Sequence, residues 1–447
     1  MNARREDTAR RLPRRAALLL PVALGGCSSF DNWFGDTKKA LPGKRVSVIN
    51  PRRGLEVDGT GAPVELPPPL ENADWPQAGG TPSHAIGRPR AGDALAVVWK
   101  ADIGEGGGYR QKITAQPVVA GGRVFTLDSD AVVTAFDAAA GGRLWRLDTR
   151  PDDNDSTNIG GGIGVEGDTL YVGTGLAELL AIEAATGKIR WRKPLGVPAR
   201  GAPTIADGRI FALTLDNQLH ALAGADGRRL WNYHATVPEI SLLGLPAPAV
   251  AEGLVVAGFG GGDLVALRAA SGTVVWTDSL AAARGRNSLL DLSSVRGLPV
   301  VADGRVYAGS VGGLTVSLDV RTGRRLWERE AATSEMPWVA GNWLFLLATG
   351  GQLAAIGRAD GRIAWVTELP QFENPEKKKD PIHWIGPVLA GDRLIVGSST
   401  ALALFVNPAT GAITGQRELS AAMSVPPSVA GGTVYLVTDD ATLAALR

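Results

Sequence analysis

Few side chains in this sequence could do chemistry, and their spacing forms no catalytic or metal-binding set. The four histidines are His84, His220, His234 and His383, and Cys27 is the only cysteine. No pair of histidines has the spacing of a zinc site such as H-E-x-x-H. No Ser, His and Asp can be arranged into a defensible catalytic order, and no carboxylate pair stands apart from the turns. We therefore expect no catalytic residue, no metal and no resident cofactor.

Two stretches match ligand-binding motifs by letter only. Residues 162–167 read Gly-x-Gly-x-x-Gly, but the strand-like run 169–172 follows where a dinucleotide site needs the start of a helix. Residues 152–155 are Asp-Asp-Asn-Asp, without the later Gly and Glu that an EF-hand loop requires. We interpret the first as a chance match and the second as a solvated loop.

Composition gives no reason to invoke nucleic acid as a partner. The chain has 447 residues, 45% of them apolar and 20% charged, with a formal net charge of +1. This length is ample for a large core, and the near-neutral net charge does not indicate a nucleic-acid-binding protein.

The elements that would position any site come from a repeat in which a turn glycine is followed four residues later by tryptophan. Its copies are Gly141/Trp145, Gly187/Trp191, Gly227/Trp231, Gly272/Trp276, Gly323/Trp327 and Gly361/Trp365. A seventh copy, Gly411 to Gly415, keeps the spacing without the tryptophan. A period of about 40–50 residues with several strands per repeat is typical of a β-propeller.

The residues between the repeated glycines alternate as strands do. In residues 209–213 (Arg-Ile-Phe-Ala-Leu) and 169–173 (Thr-Leu-Tyr-Val-Gly), large apolar side chains alternate with small or polar ones. Asp-Gly, Thr-Gly and Gly-Gly pairs between such runs supply the positive φ of tight hairpins. A single four-stranded sheet cannot bury both faces, so we expect the tryptophan to pack as an apolar plate between neighbouring blades.

The segments that open each repeat number eight, but the eighth repeat stops early. It ends at residues 443–447, where its turn and tryptophan strand should begin. Residues 96–100 are a tryptophan strand around Trp99 with no repeat before it. The sequence therefore predicts an all-β, eight-bladed β-propeller of four-stranded antiparallel blades, whose last blade is closed by the N-terminal strand.

The N-terminus has the features of a lipoprotein signal. Six arginines within residues 4–15 precede a short apolar run at 16–24, and then come Leu24, Gly25, Gly26 and Cys27. This resembles the bacterial lipobox, in which the cysteine is acylated and becomes the mature N-terminus. We expect residues 1–26 to be the signal peptide and residues 27–72 the lipid anchor and extended tether. Residues 73–447 would then form the propeller. The alternative is a cytosolic protein with an apolar N-terminus and one buried cysteine.

Acyl chains on Cys27, palmitate among them, would hold the protein on a membrane. Ser28 follows the cysteine, and by resemblance to enterobacterial sorting this favours the outer membrane, facing the periplasm.

Three further stretches carry expectations. Residues 66–70 (Leu-Pro-Pro-Pro-Leu) predict a stiff, extended chain, although the apolar residues 33–34 and 46–49 could dock. Residues 74–80 are expected to pack on the ring as its entry segment. The charged insertion at 371–381 is interpreted as a mobile solvated loop, with an interaction loop as the alternative.

The repeat also resembles a known family. Residues 319–327 (Asp-Val-Arg-Thr-Gly-Arg-Arg-Leu-Trp) and 183–191 resemble the repeat of pyrroloquinoline-quinone-dependent dehydrogenases, which enzymes and non-enzymes share. Together with the lipobox, the tether and eight blades, the chain resembles the BamB family of outer-membrane protein assembly factors. Residues 41–48 and 75–80 resemble its alphaproteobacterial branch.

That resemblance implies a scaffold and not an enzyme. The family's propeller binds the periplasmic POTRA region of the BamA barrel, works with other subunits of the assembly machinery and assists insertion of outer-membrane proteins. Unfolded outer-membrane proteins are a further implied partner. The alternative functions are a quinoprotein-like dehydrogenase, although the vicinal cysteine pair of that class is missing, and a ligand- or polysaccharide-binding propeller with a site in the central channel.

The resemblance also implies a partner surface on two neighbouring loops. The family's two apolar contacts fall on Ile240 and Leu242, and an adjacent arginine of the family falls on Leu243. Two acidic contacts of the family fall on Ser294 and Arg296, which changes the charge there. An exposed cluster of apolar residues typically marks a partner site, but these leucines could instead cover the ends of blades 3 and 4.

Overall fold

In the computed structural model, the described residues are 55–58, 63–108, 111–151, 160–199, 201–238, 246–281 and 294–447. Across these ranges the regular secondary structure is β-strand. No helix in them is long and apolar enough to cross a membrane. The predicted sites at Cys27, at residues 152–155 and at Ile240, Leu242 and Leu243 lie outside the described residues.

The strands follow one another in short hairpins. The first half of the chain contains β1 (Val97–Asp102), β2 (Val118–Ala120), β3 (Arg123–Leu127), β4 (Val132–Asp137), β5 (Arg143–Asp148), β6 (Gly161–Glu166), β7 (Thr169–Thr174), β8 (Glu178–Glu183), β9 (Ile189–Pro194), β10 (Thr204–Ala206), β11 (Arg209–Leu213), β12 (Gln218–Ala223), β13 (Arg229–His234), β14 (Ala249–Ala251), β15 (Leu254–Gly258), β16 (Asp263–Arg268) and β17 (Val274–Ser279). The second half contains β18 (Val300–Ala302), β19 (Arg305–Gly309), β20 (Thr315–Asp319), β21 (Arg325–Arg329), β22 (Trp338–Ala340), β23 (Trp343–Leu347), β24 (Gln352–Gly357), β25 (Ile363–Glu368), β26 (Phe372–Asn374), β27 (Lys379–Pro381), β28 (Trp384–Ala390), β29 (Arg393–Ser398), β30 (Leu402–Val406), β31 (Ile413–Glu418), β32 (Ser428–Ala430), β33 (Thr433–Val437) and β34 (Thr442–Leu446).

These strands form eight antiparallel four-stranded sheets, as the sequence predicts. Blades 1 to 6 are β2–β5, β6–β9, β10–β13, β14–β17, β18–β21 and β22–β25, and blade 7 is β28–β31. Blade 8 is assembled from both ends of the chain: β32, β33 and β34 are completed by β1. Trp99 of β1 pairs with Ala445 of β34, so the predicted closure by the N-terminal strand is confirmed.

The insertion at residues 371–381 differs from the mobile solvated loop that we expected. It is not an irregular loop but a two-stranded hairpin, β26 paired with β27, with Phe372 opposite Pro381 and Asn374 opposite Lys379. The Lys377 amide donates to the Asn374 side chain across its turn. Most of its side chains are exposed, which agrees with its charged composition.

The repeated tryptophans pack between blades, as expected. Each lies against the turn glycine of the next blade, and a Cβ added to Gly272 would lie 2.6 Å from the Trp231 ring. Each indole N–H also donates to a backbone carbonyl in that turn: Trp99 to Ala138, Trp145 to Ala184, Trp191 to Gly224, Trp231 to Ala269, Trp276 to Val320, Trp327 to Arg358 and Trp365 to Pro408. A buried indole needs such an acceptor, so one carbonyl per turn fixes the spacing of the blades.

Residues 75–92, which we call the strap, run across one end of the ring and contact every blade. Their partners, from blade 1 to blade 8, are Val119, Val165, Ile205, Val250, Val301, Trp338, Gly391 and Gly432. Most of these contacts are hydrogen bonds of the strap's own backbone, and Trp75 is stacked on Trp338 with ring centroids 6.1 Å apart. The expectation that residues 74–80 pack on the ring is confirmed, and the contact continues well beyond them.

Candidate functional site at the axial cavity

A cavity of about 620 Å³ lies on the propeller axis. Its walls come from residues that precede or begin the innermost strand of each blade, including Gln116, Gly160, Ala202, Ala247, Leu298, Met336, Ile385 and Val425. Ala78 and Gly79 of the strap also line it. The strap therefore forms the floor of this cavity.

The floor is held by the side chain of Gln116. Its amide oxygen accepts from the Gly79 backbone N–H at 3.0 Å, and its amide nitrogen donates to the Pro427 carbonyl at 2.9 Å. Gln116 lies in the segment that leads into blade 1, and its side chain thus joins the strap to blade 8. Its amide oxygen and its amide nitrogen both have hydrogen-bond partners.

His84 belongs to this floor as a structural residue. It is buried, and its Nδ1 lies 2.6 Å from the Pro299 carbonyl. Burial lowers the pKa of His84 to about 4, against a smaller upward effect of that hydrogen bond. Through this contact the His84 imidazole ties the strap to the segment that leads into blade 5. His220 lies in strand β12, as the sequence predicts.

Charged side chains of both signs line the cavity, namely Lys112, Arg296, Glu335 and Asp439. Burial raises the pKa of Glu335, while a hydrogen bond from the Gly386 N–H, one from the Ser334 hydroxyl and the charge of Arg296 act against it. Burial also raises the pKa of Asp439, opposed by the Ser424 hydroxyl and by Lys112. Burial therefore makes both acids less readily ionised than usual.

The cavity does not match a quinone or calcium site. Among the described residues, no three His, Cys, Asp or Glu side chains converge as a metal site requires. Its floor is the backbone of Ala78 and Gly79, and Cys27 lies outside the described residues. We derive no step through such a group.

Of the predicted partner-binding residues, the structure describes Ser294 and Arg296, and it separates their roles. Ser294 is buried, with 3% of its surface exposed, and its carbonyl accepts from the Val311 N–H at 3.0 Å. Arg296, two residues later, is exposed and lines the cavity. Of this pair, only Arg296 is exposed.

Sequence reasoning predicts that residues 74–80 pack on the ring, but it does not predict a cavity with the strap as its floor. The strap contains no repeat, and its contacts are made mainly through backbone groups, which side-chain patterns do not reveal.

Comparison with known proteins decides the family. The sequence profile described as "Outer membrane protein assembly factor BamB" matches residues 93–155, 129–367 and 370–447. The chain belongs to the BamB family. It is 28% identical over 359 residues to outer membrane protein assembly factor BamB of Yersinia pestis, covering 76% of this chain and 88% of that protein. It is 27% identical over 355 residues to that of Escherichia coli K12, covering 78% and 87%.

Solved structures agree on the fold. The crystal structure of BamB from Moraxella catarrhalis superposes with a TM-score of 0.66 at 20% identity, covering 79% of this chain and 99% of that one. Quinohemoprotein alcohol dehydrogenase from Comamonas testosteroni gives a TM-score of 0.64 at 15% identity, covering 84% and 80%. At such identities the likeness shows the propeller alone, because this fold serves both BamB proteins and dehydrogenases.

Proposed function

We propose that this BamB-family protein is a lipid-anchored, non-enzymatic scaffold of the outer-membrane β-barrel assembly machinery. The observation that carries the proposal is the family match, which extends over nearly the whole propeller. Cys27 would carry the acyl chains that hold the protein on the outer membrane, facing the periplasm. Assembly and insertion of outer-membrane proteins would then take place beside the propeller.

The partner is proposed to be the POTRA region of BamA, bound at the loops between blades 3 and 4 and between blades 4 and 5. Arg296 supports this placement because it is the exposed charged residue where the second loop leads into blade 5. Ile240, Leu242 and Leu243 would supply the apolar part of the contact. The family's acid is replaced by arginine at 296, so the matching position of this protein's own BamA should be acidic or neutral.

Co-purification tests the function directly. The full chain carrying a C-terminal tag is extracted from its native membranes in mild detergent, and the bound proteins are identified. We expect BamA and other subunits of the assembly machinery in stoichiometric amounts. Recovery of the propeller without them would contradict the proposal.

The dehydrogenase alternative has its own assay. Purified protein is mixed with pyrroloquinoline quinone and calcium, and dye-linked oxidation of alcohols is measured together with the quinone absorbance. We expect neither turnover nor a bound-quinone spectrum, because among the residues that the structure describes no three His, Cys, Asp or Glu side chains converge as a metal site requires. Turnover would favour the enzyme.

A further inference from the structure

The predicted tether does not run free up to the propeller. Residues 55–58 lie along the seam between blades 5 and 6, far in sequence from the strands that they contact. Leu55 is 6% exposed and belongs to the apolar cluster that contains Trp327 and Ile363. Its backbone N–H donates to the side-chain oxygen of Gln352 at 3.1 Å.

Asp58 fixes the other end of this short segment. Its backbone N–H donates to the Ile363 carbonyl at 3.1 Å, and its carboxylate accepts from the Ile363 N–H at 2.9 Å. The same carboxylate pairs with the guanidinium of Arg329, whose Nε donates to the Gly361 carbonyl at 2.6 Å. Ile363 begins the outermost strand of blade 6, so Asp58 satisfies edge groups of a strand that water would otherwise hydrate.

Residues 63–72 continue this attachment towards the strap. Val64 is buried. Pro67 packs against Gly341, and a Cβ added to Gly341 would lie 3.0 Å from the Pro67 ring. Arg88 of the strap donates to the Pro67 carbonyl at 2.8 Å, and the Gly431 N–H of blade 8 donates to the Asn72 carbonyl at 2.7 Å. A predicted stiff linker is thus bound to blades 6 and 8 at several points.

We propose that the groove formed by Trp327, Arg329, Gln352 and Ile363 is the dock of the membrane tether. The occupant is the chain's own Leu55–Asp58 segment, because apolar burial, edge pairing and charge complementarity all converge on it. The proposal rests on the proposed anchor at Cys27, since only an anchored chain makes residues 28–54 a membrane tether.

The dock changes the reach and direction of the anchor. Residues 28–54 can span about 90 Å when fully extended, whereas residues 28–72 could span about 150 Å. The attachment point is the seam between blades 5 and 6 and not the ring closure beside Trp99. In ring order this seam is next to the blade 4–5 loop that contains Arg296, so the anchor and the proposed partner surface lie on neighbouring sectors.

Photo-crosslinking of the full-length lipoprotein tests the dock. A benzoyl-phenylalanine is placed at position 55, whose side chain is buried in the groove, or at position 56, whose side chain is exposed. We expect intramolecular products between position 55 and peptides containing Trp327, Gln352 or Ile363, and few from position 56. Equal yields from both positions, or products from position 55 elsewhere, would overturn the dock.

Hydrogen exchange tests the dock in the unaltered protein and in a variant of the groove. In the unaltered protein we expect the amides of Asp58 and Ile363 to be protected. Arg329→Ala should speed exchange at Asp58 by about fivefold or more, because it removes the charge pair that holds the carboxylate. Arg321→Ala is the matched control, since that arginine of blade 5 is 83% exposed and lies away from the groove. Unprotected Asp58 in the unaltered protein would contradict the proposal.

The anchor and the dock can fail separately. Cys27→Ser should release the protein from membranes and leave the cross-link at position 55 unchanged. If the unaltered protein is not membrane-bound, the proposed function loses its anchor while the groove contact stands. If Cys27→Ser leaves the membrane but the cross-link is absent from both forms, the dock is wrong and the anchor stands.

Discussion

The Trp99 indole lies against Gly141, and this contact packs blade 8 against blade 1. Trp99 belongs to the strand that completes blade 8, and Gly141 to the turn of blade 1. The Trp99 indole N–H donates to the Ala138 carbonyl at 3.2 Å, in the geometry that the other repeated tryptophans show. The seam beside the blade that is assembled from two distant parts of the chain is therefore packed like the other seams.

Blade 7 is the exception, because it lacks the repeated tryptophan. Blade 7 carries Gly415 at the tryptophan position, and the blade that follows it has chain ends in place of a turn. There Arg447 and Ala96 exchange backbone hydrogen bonds of 2.9 and 2.7 Å. A tryptophan at 415 would have no turn glycine to cover, which explains why this copy of the repeat lacks one.

Gly141→Ala should destabilise the protein more than Gly122→Ala. Both glycines have φ of +73°, so both substitutions incur the strain of a side chain at positive φ, about 1 kcal/mol. An added Cβ meets nothing within 4 Å at Gly122 but lies 2.5 Å from the Trp99 ring at Gly141. We expect a further loss of about 1–3 kcal/mol at Gly141. Urea unfolding measures both, and equal losses would mean that the Trp99 plate does not hold the closure.

Trp99→Ala should lower the free energy of unfolding about as much as Trp231→Ala. Trp231 packs between blades 3 and 4 with equivalent partners. Truncating a large buried aromatic costs about 3–5 kcal/mol. Each ring also packs on an aromatic side chain of its own blade, with centroids 5.9 Å apart for Tyr435 and 5.8 Å for Phe211. Thermal unfolding of the two variants compares the seams. A negligible loss for Trp99→Ala alone would show that the seam between blades 8 and 1 does not depend on this indole.

These seams could be predicted from sequence because the repeat is local. A glycine and a tryptophan four residues apart determine both a turn and a plate, and the eight segments that open the repeats count the blades. Sequence reasoning places residues 74–80 on the ring, but the rest of the strap and the dock could not be predicted, because Pro82 and Leu55 contact strands more than a hundred residues away without any periodic signal. The hairpin at 371–381 was not predicted, because a charged sequence is equally compatible with a solvated loop. Of the proposed partner surface, sequence reasoning named Arg296 but did not foresee that Ser294 is buried.

His84 should make stability depend on pH. Its pKa is about 4 in the folded protein and about 6.5 when exposed, so the unfolded chain binds a proton that the folded chain does not. The contribution of His84 to the free energy of unfolding is fully present above pH 6.5 and is lost progressively as the pH falls towards 4. The total loss is about 3 kcal/mol.

The measurement compares the unfolding free energy of the unaltered protein and of His84→Asn at pH 7 and pH 4.5. Asparagine tolerates the positive φ of 61° at this position. We expect the loss on acidification to be smaller in the variant. The same loss in both proteins would assign the pH dependence to other groups.

Leu242→Asp should weaken capture of BamA without lowering the melting temperature. A charge in the apolar part of a protein interface costs binding free energy, whereas on an exposed loop it costs little stability.

Val274→Asp is the matched control, since Val274 is an exposed apolar residue on the outer strand of blade 4, 42% accessible and away from the proposed loops. The assay is a pull-down of this protein's own BamA periplasmic region with the full propeller. Capture should fall at least tenfold for Leu242→Asp, about 1.4 kcal/mol, and stay unchanged for Val274→Asp. Equal capture by both variants would move the partner surface away from the blade 3–4 loop, and a lowered melting temperature for Leu242→Asp would instead place this leucine in the core that covers the blade ends.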